Sequence, residues 1–225
     1  MKAAPIESSA RKDLVFKINE LGEKFAPSKS WYIRTMNKVF EMGGDLITQN
    51  ITNKFIASLC EYQKSEEGEA FRDSTIKIYL KVLKKNPSIA ESLMQVIAWI
   101  MGEYAAEIPD QEKVNQIIDE LCNQIDIGYE NHVTVGMIVS ALAKLHLAQG
   151  FAPNAHIDAV MRDLSTSKHL NVQQRCLEYK ALAEIHTQLP DDGRGIFKGT
   201  PINEEQLQME NLDLDLTFLS GFVDE

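Results

Sequence analysis

LMQVIAWIMGEYAAEIPD, residues Leu93 to Asp110, carries Leu93, Val96, Ile97, Ile100, Met101 and Tyr104 at steps of three and four. That spacing gathers side chains into one apolar stripe on a helix, and Ala98 and Trp99 widen it. A helix apolar over so much of its circumference must be covered on more than one side. Gln95, Gly102 and Glu103 interrupt the run, which is too short for a membrane span of about 20 mostly apolar residues. Pro109 ends the helix, and Asp110 is placed to cap the next one by accepting from its first free amides. A buried helix, a corner and a new cap form one half of a helical repeat, with Trp99 and Tyr104 expected to pack between repeats.

Working outward, the same design recurs. Upstream, residues 11–25 place Leu14, Ile18, Leu21 and Phe25 on a helix that Pro27 stops. Ser30 is the expected cap of a second helix, 31–42, with Trp31, Met36, Val39 and Phe40 inward and Gly43-Gly44 at its end. A third, 50–62, presents Ile51, Phe55, Leu59 and Tyr62 before a charged loop whose tip is Gly68. A fourth, 69–85, turns Phe71, Ile78, Tyr79, Val82 and Leu83 inward and ends at Asn86-Pro87. Downstream of Asp110, a sixth helix buries Val114, Ile117, Ile118, Leu121, Cys122 and Ile125. A seventh, 131–149, buries Val135, Ile138, Val139, Leu142 and Leu145. Pro153 suits the first turn of an eighth, with Ile157, Val160, Met161 and Leu164 inward. Asn171 is expected to cap a ninth, where Val172, Cys176, Tyr179, Ala183 and His186 share a face up to Pro190.

No segment before Pro190 alternates in the manner of a strand, so the chain reads as all-α. Helices starting near 30, 70, 110 and 153 are the first members of pairs about 40, 40 and 43 residues apart. Two-helix repeats of roughly 40–47 residues mark HEAT and armadillo solenoids, the α-α superhelix. Residues 1–189 are therefore expected to form a solenoid, and 190–225 a linker whose last apolar residues, Phe218, Leu219 and Phe222, dock on its end or meet a partner.

A formal charge of -10 argues against a general nucleic-acid binder, which needs a basic face to displace counterions from phosphates. The three cysteines stand too far apart for a CxxC pair or a disulfide framework, which fits a reducing, cytoplasmic setting. The N-terminal residues have no apolar core of the kind a signal peptide needs. His132, His146, His156, His169 and His186 form no metal-ligand spacing, no Gly-rich loop follows a strand, and no nucleophile stands beside a base in a recognisable pattern. No metal, cofactor or catalysis is expected. Lys77, Lys81, Lys84 and Lys85 form a basic stripe on the fourth helix. It reads either as a solvated face or as a dock for an acidic partner segment or an anionic lipid headgroup.

Three stretches resemble the large adaptins, the solenoid subunits of heterotetrameric vesicle-coat adaptor complexes. They are WYIRTMNKVFEMGGDLI (31–47), QVIAWIMGEYA (95–105), and DLTFLSGFVDE (215–225), which is similar to the end of the epsilon trunk in the fourth adaptor complex. KFAPSKSWYIRTMNKVFEMGGDL is also closer to epsilon than to the alpha or gamma types. Ala98 stands where the family commonly has cysteine. The resemblance implies the C-terminal part of a longer trunk, no catalysis, and assembly with a second large, a medium and a small subunit. It implies cargo sorting at trans-Golgi or endosomal membranes, reached peripherally through the complex. The family's Arf, small-subunit and dileucine sites lie mainly outside this part, so no residue is carried over for them. NLDLD, 211–215, differs by one residue from a short clathrin-binding motif and leaves clathrin open. The alternative is an unrelated HEAT-repeat interaction scaffold.

Overall fold

The computed structural model describes residues 8–63, 68–85, 88–108 and 110–186. Among these the regular structure is entirely helical: α1 (Ser8–Phe25), α2 (Lys29–Gly43), α3 (Gln49–Gln63), α4 (Gly68–Lys85), α5 (Glu91–Tyr104), α6 (Gln111–Ile127), α7 (His132–Ala148), α8 (Ala155–Leu164) and α9 (Leu170–His186). Short 3₁₀ turns, Gly44–Leu46 and Ala105–Glu107, follow α2 and α5. The expected linker at 190–225, with Phe218, Leu219, Phe222 and the NLDLD sequence, lies outside the described residues.

Contacts between alternate helices show how the repeats stack. α1, α3, α5, α7 and α9 follow one another in a row, and α4, α6 and α8 form a second row that α2 begins through its side-chain contacts with α4. Within each row side chains link residues a repeat apart. Tyr79 Oη donates to Asn37 Oδ1 at 3.1 Å, 42 residues away. Tyr104 Oη donates to the Leu59 carbonyl at 3.1 Å, 45 residues away, and Gln95 Nε2 to Thr134 Oγ1 at 3.0 Å, 39 residues away. Lys144 pairs with Glu103, and Arg175 donates to Ser140. These are the nearest-neighbour couplings by which a solenoid is held together.

α5 is central. Leu93, Met94, Val96, Ile97, Ala98, Ile100 and Met101 are fully buried because α3, α4 and α7 cover different sides of it. Gly102 is what lets α7 approach so closely: a Cβ there would stand 3.0 Å from Ala141 Cα. Tyr104 is buried, while Trp99 is only half-buried and packs edge-on against it at 5.9 Å between ring centroids.

Several helices depart from the expected face or start. In α1, Leu14, Leu21 and Phe25 are exposed, Phe25 at 74 %, and the buried residues are Val15, Asn19 and Gly22. The reason is Tyr32: its ring lies where a Cβ on Gly22 would be, 2.9 Å away, and its hydroxyl donates to Asn19 Oδ1 at 3.0 Å. Docking so large a ring selects the small and polar side of α1 over the apolar one. In α2 the cap is Ser28, not Ser30, its Oγ accepting from the Trp31 amide at 3.2 Å, and Trp31 is 46 % exposed. Gly68 is the buried first residue of α4 rather than a loop tip. α8 is capped by Asn154, whose side chain accepts from the amides of His156 and Ile157, leaving Pro153 outside the helix. Asn171 lies inside α9 and accepts from Arg175 Nε at 2.9 Å instead of capping. Gly44 at φ +46 and Gly150 at φ +67 do end their helices as read, and Asp110 caps α6 through the Lys113 amide at 3.3 Å.

Candidate interaction surface

Several titratable groups of the solenoid serve its packing. His146, buried at the end of α7, faces Tyr179 Oη with Nδ1 at 2.7 Å and the Ala152 carbonyl with Nε2 at 2.5 Å. A carbonyl only accepts, so Nε2 donates to it, and in the neutral ring Nδ1 then accepts from the tyrosine. Phe151, beside it, adopts φ +53, a left-handed conformation uncommon for a bulky residue. Its ring is clamped edge-on between His146, Tyr179 and His186 at 5.2–5.6 Å, which holds the α7–α8 corner. His156 of α8 lies 3.6 Å from Asp119 and 3.7 Å from Asp126 of α6, and His132 stacks on His169 at 4.9 Å. No group of three or more His, Cys, Asp or Glu side chains suited to a metal ion is found among the described residues. No described helix is long and apolar enough to cross a membrane. A cleft of about 590 Å³ between the starts of α2 and α4 is lined by Ser28, Lys29, Ser30, Ala70, Phe71 and Ser74.

Burial also sets the thiols and phenols. It pushes Cys122 from the ordinary 9.0 up to about 12, helped by the negative charges of Asp119 and Asp126, and Cys176 up to about 11. Tyr129 and Tyr179 are pushed from 10.0 up to about 12, again chiefly by burial, with Glu91 acting on the first and Asp158 on the second. The fold favours the neutral form of each. That stabilisation is complete below pH 9, the unfolded thiol value, and is lost as pH rises toward 11–12. The melting temperature should therefore fall over pH 9–12, read by circular dichroism. At neutral pH an alkylating reagent should modify half-buried Cys60 first and Cys122 and Cys176 only after unfolding, because the thiolate is the reacting species. Prompt labelling of Cys122 in the folded chain would contradict the burial described.

The sequence-predicted lysines are all exposed along α4. Lys84 donates to Gln116 of α6 at 3.0 Å, while Lys77, Lys81 and Lys85 have no ion-pair or hydrogen-bond partner among the described residues. The structure adds two cations that reading one helix at a time misses. Arg34 and Lys38 are exposed on α2, beside α4, likewise without a partner among the described residues. Their signal was present in the sequence as the repeat offset, since contacts between α2 and α4 are 42 residues apart.

With this stack of helix pairs in view, comparison by sequence becomes decisive. Residues 3–187 match the adaptin N-terminal region. The chain belongs to the adaptin family. This adaptin is 29% identical over 215 residues to the AP-4 complex subunit epsilon of Arabidopsis thaliana, covering 92% of the chain and 22% of that protein. It is 29% identical over 215 residues to the human AP-4 complex subunit epsilon-1, covering 95% of the chain and 18% of the relative. Against the AP-1 complex subunit gamma-1 of Mycosarcoma maydis it is 28% identical over 191 residues, 80% of the chain and 21% of the relative. The adaptin thus spans about a fifth of the length of the curated relatives it matches. Its coverage is fuller against the epsilon subunits than against that gamma subunit, in line with the epsilon-like motifs. The family match removes the alternative of an unrelated HEAT scaffold. No solved structure matches the chain.

Proposed function

We propose that this adaptin is a trunk segment of the large subunit of a vesicle-coat adaptor complex, of the epsilon-containing fourth type. Its role is structural. Residues 1–189 form the solenoid that packs against the second large and the medium subunit, and 190–225 lead out of the trunk. The complex, completed by a small subunit, works in intracellular protein transport, sorting cargo at trans-Golgi or endosomal membranes that it reaches peripherally from the cytoplasm.

The observation that carries this reading is the similarity over nearly the whole chain to proteins named as complex subunits. The physical character of the solenoid fits it. Stacked α-hairpins present long exposed helix faces on which several partners can seat at once, and the buried polar contacts between repeats keep those faces in register. A pull-down of the tagged full-length protein from native cytosol should recover a second large, a medium and a small subunit in equal amounts. Recovery of the protein alone would overturn the assignment.

A further inference from the structure

We propose that the exposed faces of α2 and α4 together form a basic surface that rests on an anionic lipid bilayer; this deepens the coat-adaptor reading and rests on it. Two contacts fix how the helices lie. Lys29 Nζ sits 5.8 Å from the centre of the Phe71 ring, and Tyr79 bonds Asn37. Both pairs differ by 42 residues, so α2 and α4 run parallel with a constant offset. At that offset Arg34 is level with Ile76 and Lys77, and Lys38 with Leu80 and Lys81. α5 packs against both helices, so the sides turned away from it point the same way. Arg34, Lys38, Lys77, Lys81, Lys84 and Lys85 are all exposed, and the eight steps from Lys77 to Lys85 span about 12 Å of helix.

The local charge opposes the global one. The chain carries -10 overall, yet from Lys77 onward α4 has four lysines and no acid. Glu41, Glu69 and Asp73 are the exposed acids of the two helices, and none of them is paired with these six cations among the described residues. The surface stops at α6, where Lys84 meets Gln116 and the exposed residues turn to Glu112, Asp119 and Asp126. Unlike Lys113, paired with Asp110, and Lys144, paired with Glu103, these lysines pair with no acid among the described residues.

The chemistry favours a bilayer over a peptide. Five of the six cations are lysines, point charges suited to a diffuse sheet of headgroups, whereas bidentate recognition of single carboxylates calls for arginine. The cations sit on the outer faces of two adjacent helices, and Trp31, 46 % exposed at the start of α2, is the kind of side chain that settles at a headgroup boundary.

The test is co-sedimentation of the full chain with phosphatidylcholine vesicles, with and without phosphatidylserine. Binding should require phosphatidylserine and fall with salt. The quadruple variant Lys77→Gln, Lys81→Gln, Lys84→Gln, Lys85→Gln should bind several hundredfold more weakly, about fivefold for each lysine lost. Arg34→Gln with Lys38→Gln should cost about twenty-fivefold on the same scale. An unchanged circular dichroism spectrum shows that the variants fold. The proposal is overturned if the wild-type chain ignores phosphatidylserine, if the variants bind as well as wild type, or if polyglutamate is captured while vesicles are not. Subunit recovery with the same variants separates the two readings. Full recovery alongside lost vesicle binding supports the bilayer surface. Lost recovery makes the patch a subunit contact and overturns it, and no recovery even for the wild-type protein sinks the adaptor reading itself.

Discussion

Replacing Gly102 with leucine is expected to force α5 and α7 apart and to lower the melting temperature by about 10 °C or more, the shift that ~3 kcal/mol or more would produce in a domain of this size. The glycine is internal to α5, where it costs up to about 1 kcal/mol relative to alanine. Something must outweigh that cost, and the geometry shows what. A Cβ at this position would lie 3.0 Å from Ala141 Cα and 3.2 Å from Ala141 Cβ. The first is backbone and cannot swing aside, and the Lys144 to Glu103 pair ties the same two helices together one turn on. Extra methylenes forced into a packed interior cost about 1–3 kcal/mol even where neighbours relax, and a leucine adds four carbons to a contact with no room for one. Gly102→Ala should therefore destabilise mildly, although the same change in an exposed helix would stabilise. Thermal unfolding together with hydrogen exchange across 91–148 reads both variants. A Gly102→Leu chain that melts like wild type would show that α5 and α7 are not in this contact.

Tyr104→Ala is the second large effect, at about 3–5 kcal/mol, the range for deleting a buried aromatic side chain. Tyr104 is buried, packs edge-on against Trp99, and donates to the Leu59 carbonyl of α3. Burial holds its phenol well above the ordinary 10.0, with nearby Cys60 adding to the effect, so the hydroxyl stays a neutral donor at any physiological pH. Tyr104→Phe keeps the ring and removes only the donor, and should cost about 1 kcal/mol, the net worth of one such bond. Trp99→Ala should cost less than Tyr104→Ala because the indole is already partly exposed to water. Urea unfolding of the three variants checks the order. Equal losses for Tyr104→Phe and Tyr104→Ala would show that the bond to α3, not the ring, holds the repeats together.

Both experiments concern residues that the opening stretch already contained, but only one kind of information about them was legible there. The steps of three and four from Leu93 to Tyr104 marked a helix buried on most of its circumference, and α5 is that helix. Nothing in the spacing singled out Gly102 as a contact point, because a glycine in a helical pattern looks the same whether it faces water or another backbone. Trp99 illustrates the same gap from the other side. Its place in the apolar run suggested packing between repeats, yet the neighbouring helices cover α5 unevenly and leave the indole partly open.

Helix faces were legible where a helix has neighbours on both sides in its row, as with Val114 through Cys122 of α6 and Ile138 through Leu145 of α7. They were misread at α1, where Leu14, Leu21 and Phe25 make the better apolar stripe but Tyr32 selects Asn19 and Gly22. The cap of α2 slipped by two residues because two serines competed, Ser28 and Ser30, and α8 begins beyond Pro153 because the Asn154 side chain caps it. Lys77, Lys81, Lys84 and Lys85 lie exposed on one helix, and finding Arg34 and Lys38 next to them required knowing which helix lies beside it.

By itself, then, the sequence determined the helical class, the repeat length near 40 residues and the family, because each is written in local periodicity or in matching residues along the chain. Tertiary structure alone decided which helix meets which, and so the inward face of α1, the glycine gate between α5 and α7, and the joining of two basic helix faces into one surface. The physical reason is that a helix's own pattern specifies how much of it must be buried, whereas the partner that buries it, and the side chain that fits best against that partner, are set by residues a whole repeat away.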